Sequence, residues 1–128
     1  MSSYPNDLRY THDHEWLRAT GSAWRVGITQ FAVDQLGDIT LIDLPKEGDL
    51  VTKGQRFGTI ESVKSVSELY APVSGRITAV NPSLPDAPEQ VNTEPYGAGW
   101  MVEIEPTEKA EIDELLTIEA YTAHVAAQ

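Results

Sequence analysis

ESVKSVSE, residues 61–68, is an almost mirror-symmetric octapeptide with one lysine near its middle, Ser-Val on either side and a glutamate closing each end. Its flanks read as short strands, Arg56–Ser62 before it and Leu69–Tyr70 after it. The stretch is therefore a hairpin tip built without Gly, Asn or Pro, the residues that ordinarily make tight turns. Two β-branched valines, Val63 and Val66, flank the lysine instead, which predicts a turn shaped by packing. Small serines leave the ammonium of Lys64 unobstructed. An isolated surface lysine usually does nothing specific. A rigid, protruding turn, however, is what an acylating enzyme needs to grip, and amide formation removes the charge and makes the methylene stem part of a longer tether. A catalytic lysine wants burial that lowers its pKa, and nothing apolar enough surrounds Lys64.

Working outward, Gly37-Asp38-Ile39-Thr40 recurs 38 positions later as Gly75-Arg76-Ile77-Thr78. Phe57–Glu61 is answered more loosely by Trp100–Glu105, at an offset of about 44. Two quasi-equivalent β units facing each other predict a small sandwich or flattened barrel, with the lysine segment joining the halves. Further strands read at Ile39–Leu44, Arg76–Val80 and Trp100–Glu105, the last with Trp100, Val102 and Ile104 alternating. Asn81–Gly99 holds four of the eight prolines and reads as a loop excursion. Upstream, Glu15–Ala19 and Ala23–Ile28 read as strands joined by Thr20-Gly21-Ser22. A short helix follows, capped by Thr29, with Phe31, Ala32 and Leu36 at helical spacing and Gly37 past its end. After Pro106 the pattern turns helical. Thr107 is placed to cap a turn carrying Ile112, Leu115 and Leu116, and Thr117 to begin a helix with Ile118 and Tyr121 on one face, as packing that covers the sheet. The expected fold is mainly β with short flanking helices, in one domain over residues 1–128. Its core spans about 10–121, with a strand extension at 15–28, a β core at 38–105 and C-terminal helices at 107–125.

Twenty acidic residues against nine Lys and Arg give a net charge of −11. That excludes nucleic acid and anionic membranes as natural partners and favours proteins with basic docking faces. No cysteine is present, which removes disulfides, thiolate nucleophiles and Cys-based zinc sites and fits a reducing compartment. The N-terminus has neither a basic start nor an apolar run, and no stretch approaches a bilayer span, so a soluble cytoplasmic protein is expected. His12-Asp13-His14-Glu15 invites a metal reading, but it lacks a convergent third ligand, His124 lying in the tail, and no metal is expected. No phosphate loop, Ser-His-Asp set or Cys-His pair appears.

Gly58–Ser65 followed by Tyr70–Gly75 resembles the lipoyl-lysine region of the glycine cleavage H-protein family. The likeness extends through His14-Glu15-Trp16, Gly27-Ile28-Thr29, Leu36–Ile39, Asp43-Leu44-Pro45, Gly48, Val51, Gly54, Asn81, Pro95-Tyr96 and Gly99-Trp100-Met101. It implies a non-catalytic carrier with a lipoyl-domain-like (hybrid-motif) sandwich of two small antiparallel sheets, lipoate being amide-linked to Lys64. Glu61, Ser62, Val63 and Ser65 would form the turn that lipoylating enzymes recognise. In that family the arm accepts an aminomethyl group from glycine decarboxylase (P protein) and presents it to aminomethyltransferase (T protein). Dihydrolipoamide dehydrogenase (L protein) then reoxidises it. The loaded arm ends in an amine, which carboxylates hold by charge-assisted hydrogen bonds. Glu15 and Glu68 stand where the family carries such an acid, and Asp13 is a further candidate. For each, a solvated surface carboxylate is the plain alternative. Gln35 stands where some members carry histidine, and Ser65 where Ala is common. Biotin carriers have methionines beside their lysine, and lipoyl domains of 2-oxo-acid dehydrogenases usually have Asp before it and long Pro/Ala linkers. A depot relaying lipoyl groups to other carriers is a compatible second role. A monomer suits a shuttle serving three enzymes.

Overall fold

The computed structural model describes residues 4, 5 and 7–127. Residues 1–3 and 6 of the segment read against a leader, and residue 128 at the end of the expected domain, lie outside the described residues. β1 (Arg9–Tyr10), β2 (Glu15–Thr20) and β3 (Ala23–Ile28) make an antiparallel ribbon. They are followed by β4 (Ile39–Asp43), β5 (Leu50–Val51), β6 (Arg56–Ser62), β7 (Val66–Tyr70), β8 (Gly75–Val80) and β9 (Val102–Pro106). One sheet has the order β1-β2-β3-β9-β8-β5 and the other β4-β6-β7. Every pairing is antiparallel. Leu17, Val26, Ile42, Ile60, Ile77, Val102 and Ile104 share the core cluster to which strands of both sheets contribute.

The internal echo is structural. In both units the register slips by one residue, at Thr40 between β4 and β6 and at Thr78 between β8 and β9. Each threonine donates its hydroxyl across the strand, Thr40 to the Glu61 carbonyl and Thr78 to the Glu103 carbonyl, both at 3.3 Å. A bulge sets residues three apart on one face. Hence Ile39 and Ile42 are both buried although they are not two apart. The pairing makes Glu61 the counterpart of Glu103 and Ile60 that of Val102, an offset of 42 rather than about 44. A second correction concerns the lysine segment. β6 and β7 belong to the same small sheet, so the hairpin tip lies within one unit, and the chain crosses to the other at residues 71–74.

α1 (Gln30–Leu36) is capped by Thr29, which accepts from the Ala32 amide, and ends at Gly37 with φ of 78°. Its buried residues are Val33 and Leu36, whereas Phe31 tilts against His14, so the inward face differs from the expected Phe31–Ala32–Leu36 set. The proline-rich excursion contains one helical turn, α2 (Gln90–Thr93). α3 (Ala110–Asp113) begins at Lys109 without a side-chain cap; Thr107 instead hydrogen-bonds to the Ser74 carbonyl. α4 (Ile118–Ala126) is capped by Thr117 as expected, and its Tyr121 is fully buried. It does not cover the main core. Tyr121 stacks on Tyr10 at 4.6 Å in a separate cluster with Leu8 and Trp16 on the outer side of β1 and β2. Among the described residues no helix is long and apolar enough to cross a membrane.

Gly27 faces Trp16 across the β2–β3 pair. The indole is anchored, its N–H donating to the Pro95 carbonyl at 2.9 Å, and a Cβ on Gly27 would lie 2.6 Å from it. Gly27→Ala should therefore destabilise the fold by about 1–3 kcal/mol, the usual cost of overpacking. The check is the denaturant midpoint at unchanged m-value; an unshifted midpoint would mean the ring swings aside freely.

Candidate functional site

The turn carrying Lys64 is closed by the Ser62 amide, which donates to the Ser65 carbonyl at 2.8 Å, and is shaped further by the Ser62 hydroxyl. Ser62 Oγ accepts from the amides of Lys64 and Ser65, each at 3.2 Å, and donates to the Ser65 carbonyl at 3.3 Å. This is how a serine replaces the glycine or asparagine of an ordinary turn. Packing by the valines, expected from the sequence, is not the cause: Val63 and Val66 are 67% and 65% exposed. The turn is tied down from outside by the Val63 amide, which donates to the Asp38 carbonyl at 3.0 Å. Asn92 of α2 brackets Asp38, accepting from the Ile39 amide at 2.9 Å and donating to the Gly37 carbonyl at 2.8 Å.

Lys64 is exposed, and among the described residues no carboxylate pairs with it. Its stem lies over the end of α1, where a Cβ on Gly37 would sit 3.3 Å from Lys64 Cε. The next residue back, Leu36, lines an open cleft of about 350 Å³. Ile28, Leu36, Ile60 and Leu69 give the cleft its apolar lining, and Asp13, Gln35 and Glu68 its polar groups. A larger recess of about 530 Å³, lined by Trp24 and Ile112 among others, shares no residue with the lysine turn.

The acids divide. Asp13 and Glu68 line the cleft. Glu68 Oε2 accepts from the Tyr70 hydroxyl at 2.8 Å, which raises the phenol's pKa. Glu15 lines instead a smaller adjoining cavity of about 160 Å³. It is 3% exposed and accepts from the Tyr70 amide at 3.1 Å and the Thr11 hydroxyl at 3.2 Å. Tyr70 lies on β7, an edge strand of the small sheet, and Glu15 on β2 of the large one, so this carboxyl ties the two sheets behind the cleft wall. Thr11 and Asn92 were not singled out in the sequence, and Tyr70 entered only as part of the Tyr70–Gly75 motif. Thr11 acts through its hydroxyl, Tyr70 through its backbone amide and Asn92 through its side-chain amide, on partners that no local pattern announces.

The histidines are a further correction. His124 returns from α4 to meet His12 edge-on at 4.7 Å and His14 at 5.4 Å, so the third histidine does converge. The rings meet as stacked and edge contacts, and His14 Nδ1 is 2.8 Å from the Tyr121 hydroxyl. Among the described residues no set of three His, Asp or Glu side chains is placed to hold a metal ion. His14 has φ of 67°, unusual for a residue with a Cβ, and its carbonyl accepts from the Thr29 amide at 2.9 Å. His14, which with His12 also lines the cleft, is thus fixed by both Thr29 at the end of β3 and Tyr121 of α4.

Comparison with known proteins gives one consistent result. The family model described as "Glycine cleavage H-protein" matches residues 8–128. The glycine cleavage system H protein of Myxococcus xanthus is 53% identical over 119 residues, covering 93% of this chain and 92% of that protein. That of Geobacillus thermodenitrificans is 53% identical over 121 residues, covering 94% and 95%. The crystal structure of a glycine cleavage system H protein from Mycobacterium marinum superposes with a TM-score of 0.86 at 42% identity, covering 96% of this chain and 99% of that one.

Burial pushes the Glu15 carboxyl up from 4.5 to about 8, and the nearby charge of Asp13 adds to the rise, against the opposing bonds from Thr11 and Tyr70. The folded protein then holds a proton that the unfolded chain releases. Stability falls as pH rises from about 4.5 to about 8, and the loss is complete above the upper value. Glu15→Gln removes this titration, so its stability relative to wild type should climb across that window in urea midpoints taken at stepped pH. A difference flat with pH would show that the carboxyl ionises normally when folded.

Proposed function

The chain belongs to the glycine cleavage H-protein family, and on that premise we propose that it is a non-catalytic shuttle whose lipoyl group is amide-linked to Lys64. It is a lipoyl-carrying component of the glycine cleavage system. The observation that supports Lys64 is its setting: an exposed ammonium, without a carboxylate partner among the described residues, on a tip stiffened by Ser62 and beside a cleft of suitable chemistry. Glu61, Ser62, Val63 and Ser65 are the turn residues that a lipoylating enzyme meets.

The residues fit the group. The apolar lining from Ile28, Leu36, Ile60 and Leu69 suits a hydrocarbon arm, and the carboxylates of Asp13 and Glu68 suit a cationic amine at its end. When attached, the lipoyl group would supply a dithiolane able to carry an aminomethyl group between glycine decarboxylase and aminomethyltransferase and open to reoxidation by dihydrolipoamide dehydrogenase. The chain's own residues anchor, orient and shield. Lys64 anchors. Asp13 and Glu68 hold the amine's protons in hydrogen bonds, the apolar lining keeps water from the load, and Glu15 supports the wall through the Tyr70 amide. Gln35 offers a hydrogen bond there but no charge. The reading extends to one carrier domain over residues 1–128, a monomer in the cytoplasm, where the absence of cysteine is at home.

Incubation with a lipoate ligase, lipoate and ATP should add one lipoyl amide to the Lys64 peptide, seen by intact mass and peptide mapping, and none to Lys64→Ala. No modification under conditions that lipoylate a known carrier would sink the reading. In the lipoylated Asp13→Asn, Glu68→Gln double variant the load should be lost to water about tenfold faster. An unchanged lifetime would remove both acids from the site. With a net charge of −11, reduction by glycine decarboxylase and glycine should slow several-fold as salt rises; a rate insensitive to ionic strength would exclude electrostatic docking.

A further inference from the structure

Among the described residues, three of the four large apolar side chains that stand exposed gather at the lysine tip: Leu41 at 48%, Val63 at 67% and Val66 at 65%. The fourth, Leu50, lies on β5 of the other sheet. Single exposed apolar residues need no explanation, but a cluster on an otherwise solvated face marks an interaction surface. The strand register makes this cluster continuous. Leu41 on β4 lies directly opposite Glu61 on β6, and Glu61 opposite Val66 on β7, so the three form one cross-strand row on the outer face, with Val63 following at the turn. The neighbouring row on the same face is Asp43, Thr59 and Glu68, which shows that polar residues are tolerated at such positions. Asp38, Asp43 and Glu68, all exposed, give the patch an acidic border, and Glu61 sits within it.

We propose that Leu41, Val63 and Val66, arranged around Glu61, are the docking surface for the enzyme that attaches lipoate, which would present a shallow apolar recess with a basic rim. The inference rests on Lys64 being the lipoylated residue. It commits to the attaching enzyme because of reach. That enzyme must bring its active site to bonding distance of Lys64 Nζ, and so must lie on the turn and the strands beside it. Enzymes that use the finished arm meet its sulfur end, several bonds out from this surface. In the attachment step Nζ first loses a proton to solvent and attacks the carbonyl carbon of a lipoyl adenylate. The amide C–N bond forms, the bond from that carbon to the phosphate oxygen breaks, AMP leaves, and a second proton departs from nitrogen.

The test compares wild type with the combined Leu41→Thr, Val63→Thr, Val66→Thr variant. Threonine keeps strand propensity while removing the apolar surface. Initial rates of mass gain are measured with a lipoate ligase, lipoate and ATP over a range of carrier concentrations. The variant's kcat/KM should fall about tenfold, as for loss of a small hot spot, with the change in KM rather than kcat. Leu50→Thr should behave as wild type. After lipoylation is driven to completion, the triple variant should be reduced by glycine decarboxylase and glycine at the wild-type rate. An unchanged kcat/KM, an equal loss in Leu50→Thr, or a matching loss in glycine-dependent reduction each overturns the assignment. Modification persisting in Lys64→Ala overturns instead the reading beneath it. Melting curves monitor the fold; should the triple variant be unstable, Val66→Thr alone carries the same comparison, with a smaller expected loss.

Discussion

One side-chain amide holds together the parts on which the lysine turn depends. Asn92 accepts from Ile39 and donates to Gly37, so it fixes the short backbone segment that contains Asp38. The Asp38 carbonyl in turn receives the Val63 amide. The end of α1, the start of β4, the proline-rich excursion and the hairpin tip are thereby joined through groups that would each cost about 1–3 kcal/mol if buried unpaired. The excursion is no ornament on the sandwich. It supplies the brace for the turn.

What was legible in the sequence was what local chemistry writes. Thr29 and Thr117 cap helices because a hydroxyl placed before an apolar-periodic run has few other uses. Gly37-Asp38-Ile39-Thr40 and its echo marked two units because both encode the same bulge. Lys64 and its turn stood out for the same reason. What was not legible depends on where distant chain meets distant chain. Thr107 has the pattern of a cap, yet Ser74 competes for its hydroxyl. Val63 and Val66 look like packing residues, and only the strand register reveals that they face outward. His124 is remote in sequence and adjacent in space because α4 folds back over β1.

The acids illustrate the same division at the level of charge. Asp13, Glu15 and Glu68 are alike in composition, but the fold gives them different surroundings. Glu68 and Asp13 remain exposed at the cleft. Glu15 is withdrawn behind Tyr70, where desolvation keeps its proton near neutral pH and its oxygens serve two donors. A protonated carboxyl is a cheaper guest in that position than an ion, since an unpaired buried charge costs far more than a hydrogen-bonded neutral group. The cleft's negative charge is accordingly concentrated at its rim.

The contact between Lys64 and Gly37 bears on geometry of another kind. An appendage rooted in a slack loop would sample a large volume and visit any one place seldom. Here the root is a pivot fixed by Ser62 and Asp38, with the stem already leaning on the end of α1 at Gly37, next in sequence to Leu36 of the cleft. A group tethered at such a pivot has a high effective concentration at the nearby pocket, because the search is confined to a short span. Capture of the arm's end then needs only weak individual contacts, and weak contacts are what allow release when an enzyme competes for the same end.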